Sequence, residues 1–172
     1  MPVPRHLQAF WSDFLLVTGT VDEGRYYDVC VFGDNKQLAD DLANLVLLGI
    51  KRATAGSLAS YADQGIRTPE AGDLSIVTDW SGQPLCVIET QVVEVVPYNE
   101  VTAEFAAVEG EGDGSLAFWR QAHKRFFEVE CDNAGRNFTE DMLLACETFK
   151  VVYQPRPIAA ELKRKASQGD VK

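Results

Sequence analysis

At 172 residues, 46% hydrophobic and 24% charged, the chain has the size and make-up of one globular domain with appended helices. Its net charge of −10 and pI of about 4.6 repel nucleic acid at long range and exclude wholesale binding of duplex DNA. No apolar run reaches the length of a membrane span, and two histidines with four scattered cysteines oppose a metal site or a disulfide framework, so neither metal nor cofactor is expected.

The first predicted element is a helix from about Arg5 to Val17, where Leu7, Phe10, Trp11, Phe14 and Leu15 recur at helical spacing. Asp13 interrupts this apolar stretch and no small-residue cleavage site follows, so a signal peptide is not expected and a cytoplasmic location is. A short strand, YDVCVF, comes next. In FGDN, Gly33 turns the chain and Asp34 or Asn35 caps a helix that buries Leu38, Leu42, Leu45 and Val46, with Gly49 as its C′ residue. A second helical turn is expected over Ala53 to Tyr61, closed by Gly65.

The period then changes. A strand is expected over Leu74 to Thr78, a hairpin around Ser81-Gly82, and a long strand from Leu85 to Val96 that Pro97 stops. A short helix, NEVTAEFAAV, leads to the acidic, glycine-rich EGEGDGS. The stronger helix SLAFWRQAHKRFFEVE is expected to bury Leu116, Trp119, Ala122 and Phe126, and a strand near ETFKVVY returns to the sheet. After Tyr153 five basic residues (Arg156, Lys163, Arg164, Lys165 and Lys172) face two acidic ones, which makes 154–172 a basic tail with a peripheral helix after Pro155. This order of elements predicts an α+β fold around a small curved sheet or barrel.

Four groups of residues carry possible chemistry. Lys51 and Thr54, in GIKRATAGS, admit two readings: surface residues after a helix end, or a base and a nucleophile sharing one face of a helical turn. The second needs a neutral lysine, which burial or a cationic neighbour such as Arg52 favours. Glu89 alternates with Leu85 and Val87, so it is either an inward carboxylate in need of a partner or an outward residue at a strand end. Glu109, Glu111, Asp113 and Gly114 imitate the start of a calcium loop, but Arg120 stands where its final glutamate belongs, so a structural role before a helix is the safer reading. Arg120, His123, Lys124 and Arg125 interleave with Phe118, Trp119, Phe126 and Phe127, a pattern of single-strand binding or of a solvated face over a core stripe.

Taken together, FGDNKQLADDLANLVLLGIKRAT, the segment PEAGDLSIVTDW through EGEGDGSLAFWRQAHKRFF, and ETFKVVY resemble the ASCH domain of the PUA-like superfamily, in its longer branch. The resemblance spans about Phe32 to Tyr153, and the superfamily's glycine-x-lysine-x-x-threonine signature stands at Gly49-Ile50-Lys51-Arg52-Ala53-Thr54. It implies a PUA-like β-barrel with flanking helices, in one domain over residues 1–153 with its core at 32–153. It further implies a nucleobase, nucleoside or short single-stranded RNA ligand. Some members of the family hydrolyse N4-acylcytidine nucleosides, which assigns Lys51, Thr54 and Glu89 as catalytic residues here. Gly49, Arg52, Ser57, Trp80, Trp119, Arg120 and His123 form the expected ligand-binding set, with Tyr61 and Tyr98 as further stacking candidates. The alternatives are a non-catalytic RNA-binding module and a metal-dependent ribonuclease.

Overall fold

The computed structural model describes residues 2–21 and 24–155; the expected tail helix after Pro155 lies outside the described residues. In chain order the elements are α1 (Gln8–Thr18, after a 3-10 turn at Arg5–Leu7), β1 (Tyr26–Cys30), α2 (Lys36–Leu47), β2 (Ala53–Ser57), α3 (Leu58–Asp63), β3 (Leu74–Thr78), β4 (Pro84–Pro97), a 3-10 turn (Tyr98–Glu100), α4 (Ala103–Glu109), α5 (Leu116–Asn133) and β5 (Leu143–Tyr153). The strands form one mixed sheet in the order β1-β3-β4-β5-β2, with β1 parallel to β3 and the pairs β3–β4 and β2–β5 antiparallel. This is the α+β class that the alternation of periods predicts.

The chain divides into two compact units. The first takes its described residues from 1–49, 73–89 and 150–172, the second from 50–72 and 90–149, and both β4 and β5 run through each. In the first unit α1 lays Leu7, Trp11 and Phe14 against Tyr26, Leu74, Ile76, Val87 and Tyr153. The rings of Trp11 and Tyr26 meet edge to face at 5.3 Å, a geometry that favours aromatic pairs. Asn35, rather than Asp34, caps α2, its side chain accepting from the Leu38 amide at 3.1 Å. The buried stripe of α2 is Ala39, Leu42, Ala43, Val46 and Leu47; Leu38 stays exposed because it lies in the first turn, over Gly33.

In the second unit Ser115 caps α5 by accepting from the Phe118 amide, and Asp113 accepts from the Ser115 amide. That gives the end of EGEGDGS its structural use. The buried stripe of α5 is Trp119, His123, Phe127 and Cys131, each four residues from the last. The expected stripe through Ala122 and Phe126 is therefore rotated by one position, and Phe126 is exposed. The rotation follows from His123: a residue that the pattern assigned to solvent stacks on Trp119 at 4.1 Å and is buried with it.

A further correction concerns residues 53–61. They begin as a strand, not a helical turn, and α3 starts only at Leu58, where the Ser57 side chain accepts from the Ser60 amide. Thr54 and Gly56 are poor helix formers, and pairing with β5 supplies the hydrogen bonds that a helix would have supplied.

Candidate functional site

The chemistry gathers in the second unit, on the two faces of β2 and β5. Their register sets Ala53 opposite Thr148, Thr54 opposite Glu147, Ala55 opposite Cys146, Gly56 opposite Ala145 and Ser57 opposite Leu144. Ala55 and Cys146 pack in one core with Trp119, Phe127 and Leu144, so that face is turned to α5. Strand alternation sends Thr54, Gly56 and Glu147 to the other face.

Lys51 belongs with the α5 side. Its Nζ donates to Glu109 Oε1 at 2.9 Å and to Glu111 Oε1 at 2.6 Å, and the side chain is 1% exposed. Glu109, equally buried, also accepts from Trp119 Nε1 and lies 3.4 Å from His123 Nε2. The Nδ1 of that ring faces the Trp119 carbonyl at 3.1 Å. Burial opposes charge on Lys51, but the two carboxylates outweigh it and hold the ammonium above its ordinary pKa. Burial likewise opposes charge on Glu109, yet Lys51 and His123 draw its pKa down to about 2. A lysine that serves as a base must lose its proton easily, and this environment does the opposite. Lys51 and Thr54 also do not share a face. Residues three apart converge on a helix and diverge on an extended chain.

The Thr54 face holds a different set. Glu147 is 8% exposed and accepts from Thr90 Oγ1 at 2.6 Å. The Tyr61 ring comes over Gly56 so closely that a Cβ there would lie 2.8 Å from its hydroxyl. A hydroxyl, a buried carboxylate and an aromatic ring thus occupy one side of adjacent strands.

The remaining expected residues are dispersed. Glu89 lies in the first unit, ion-paired to Arg25 at 3.0 Å and Lys150 at 3.1 Å. Trp80 is in the first unit at a hairpin tip, 47% exposed, and Gly49 ends α2 there with φ of 71°. In the second unit, Arg52 is held through its backbone between Val108 and Phe149. Ser57 is fully buried and donates to Glu130 at 2.6 Å on the α5 side. Trp119 and His123 are packed on each other in the core, and the buried Tyr98 donates to the Arg120 carbonyl, so none of these three presents a free ring face. Arg120 borders a depression of about 210 Å³ with Tyr98, Asn99, Gln121, Lys124 and Glu140. Among the described residues no group of His, Cys, Asp or Glu side chains is arranged to hold a metal ion, and no helix is long and apolar enough to cross a membrane.

Sequence reasoning did not single out Glu147 and Thr90, the buried hydrogen-bonded pair on this face. The signal was present: LLACETF places an acid in the middle of a buried run, the same argument that singled out Glu89.

A mixed sheet with flanking helices and a lysine–threonine signature entering an edge strand defines the class: a PUA-like α+β domain. The ASCH domain family model matches residues 28–153, and the chain belongs to that family. It is similar to the crystal structure of an ASCH domain from Lactobacillus crispatus JV V101, at 40% identity and a TM-score of 0.79, over 88% of this chain and 96% of that one. It is also similar to protein EF3133 from Enterococcus faecalis V583, at 36% identity and a TM-score of 0.76, over 86% and 93% of the two chains. No curated protein matches the chain.

Proposed function

We propose that this ASCH domain binds a nucleoside-type ligand on the Thr54–Tyr61–Glu147 face and hydrolyses an acyl amide carried on its base. The observation that carries the reading is the direct opposition of Thr54 to the buried carboxylate of Glu147. Family membership is consistent with a nucleoside-type ligand. The Tyr61 ring, held over Gly56, offers a base a surface to stack on.

The residues suit an acyl transfer in two stages. Thr54 Oγ attacks the amide carbonyl while Glu147 takes the hydroxyl proton. Glu147 then passes that proton to the departing base nitrogen, which leaves as the free amine. Water, deprotonated by the same carboxylate, cleaves the threonine ester and releases the acid. Thr90, donating to Glu147, orients the carboxylate. Glu89 is not assigned the proton transfer, because Arg25 and Lys150 hold it as an ion pair in the first unit.

The test is release of cytidine from N4-acetylcytidine. Thr54→Ala and Glu147→Gln are each expected to lower turnover by about 10²-fold or more. Turnover that survives both substitutions refutes the assignment. Binding of the nucleoside without turnover in the wild type makes the face a binding site only.

A further inference from the structure

Strand β2 has little of its own to fix its pairing. Its sequence is Ala-Thr-Ala-Gly-Ser, and the face turned to the core offers only Ala53, Ala55 and Ser57. Small, glycine-containing strands specify register weakly, and a slip of one residue exchanges their two faces. Such a slip carries Thr54 into the core and away from Glu147.

The chain just before β2 is, by contrast, gripped from several sides. The Arg52 amide donates to the Val108 carbonyl at 3.0 Å, and the Phe149 amide donates to the Arg52 carbonyl at 2.8 Å. Gly110, with φ of 68°, lies so close that a Cβ there would meet the Ile50 carbonyl oxygen at 2.6 Å. Between these contacts the Lys51 ammonium reaches Glu109 and Glu111. At the far end of the strand Ser57 is pinned to Glu130. If the strand slips, Ile50 or Arg52 takes the place of Lys51. Isoleucine leaves the buried Glu109 without its lysine, and the arginine side chain is too long for the space that the lysine fills. A buried charge that loses its partner is strongly unfavourable, so the ion cluster discriminates between registers far more sharply than the alanines do.

We infer that Lys51 is a positioning residue: gripped by Glu109 and Glu111, it locks the register of β2 on β5 and so sets Thr54 opposite Glu147. The consequence for turnover rests on the proposed reading of Thr54 and Glu147; the register itself does not.

The chain contains half of its own reporter. The Phe149–Arg52 bond makes that pair a hydrogen-bonded one, so by alternation Ala55 and Cys146 form a non-hydrogen-bonded pair. Cα atoms of such pairs stand about 4.5 Å apart, within disulfide range. Ala55→Cys therefore reports the native register by an oxidative cross-link to Cys146, Thr54→Cys reports the slip that brings Ile50 to the place of Lys51, and Gly56→Cys reports the slip that brings Arg52 there. With Lys51 and Glu109 intact, only the first is expected to cross-link, as read by peptide mass spectrometry.

In a Lys51→Met/Glu109→Gln background the ratio of native to slipped cross-link is expected to fall by about tenfold or more, the worth of one charge-assisted hydrogen bond. An unchanged ratio there overturns the inference. Should that background not fold by circular dichroism, Glu111→Gln, which loosens only the partly exposed arm, carries the same test and the same overturning result. Cytidine release from N4-acetylcytidine is followed in parallel without oxidant. A wild type that does not hydrolyse it removes the proposed reaction, while the cross-link ratio still decides the lock.

Discussion

Removing the carboxylate of Glu109 is expected to be among the most damaging single changes in the second unit. Glu109→Ala takes the fully buried carboxylate from the Lys51 ammonium, 1% exposed, leaves Glu111 within reach, and deprives Trp119 Nε1 of its acceptor. Breaking a buried ion pair from one side costs about 3–5 kcal/mol. Retention of Glu111 reduces that figure, and an orphaned indole N–H adds about 1–3 kcal/mol. The expected loss is about 3–5 kcal/mol, a large share of the roughly 5–15 kcal/mol that stabilises a typical domain. Lys51→Met/Glu109→Gln removes both charges and keeps an oxygen for the indole, so its loss is expected to stay within about 1–2 kcal/mol, by the near-neutrality of replacing whole buried pairs. Urea unfolding followed by tryptophan fluorescence measures both, through the midpoint at constant slope. A loss below about 1 kcal/mol for Glu109→Ala, or a double variant as unstable as the single, refutes the argument that charge imbalance dominates.

The same carboxylate predicts a pH dependence. The folded pKa of Glu109, about 2, lies below its ordinary 4.5, so its contribution is fully present above about pH 4.5 and is lost as pH falls toward about 2. Asp40, Asp63 and Asp79 are also lowered, but from exposed or half-buried positions. Glu109→Gln is therefore expected to flatten the acid limb of stability against pH in part, and an unchanged slope in urea titrations at pH 2 to 5 contradicts the assignment. At Gly56 the φ is ordinary, and an added Cβ meets only the far end of the Tyr61 ring. Gly56→Ala is expected to cost less than about 1 kcal/mol of stability while weakening nucleoside affinity, because the hydroxyl end of the ring must shift away from the strand. Calorimetric titration with cytidine beside thermal melts separates the two effects, and unchanged affinity removes Tyr61 from the site.

Much of the scaffold was legible in the sequence because local chemistry decides it. Asn35 and Ser115 cap helices through their own side chains, Gly49 takes the left-handed turn that ends α2, and Pro97 closes β4. These are interactions among residues a few positions apart, and residue type alone specifies them. The long strand, its hairpin and the returning strand follow from a period of two for the same reason. The resemblance to the ASCH domain likewise stood in the sequence, and the family model matches residues 28–153.

What the sequence by itself could not decide was which way those residues face. ATAGS reads as a helical turn in the sequence and becomes a strand because β5 arrives from some ninety residues away, and that change alone separates Lys51 from Thr54. The partners of Lys51 lie 58 and 60 positions distant, and Thr90 lies 57 from Glu147. No local pattern encodes such pairs. A buried charge is fixed by where its counter-charge comes to rest, and tertiary packing determines that. His123 makes the point in reverse: polar by type, it enters the core because Trp119 stacks on it and Glu109 faces it. Sequence determined which elements form and where they stop; the sheet register and the buried ion cluster determined which side chains meet, because hydrogen-bond pairing and charge compensation act between segments that only folding brings together.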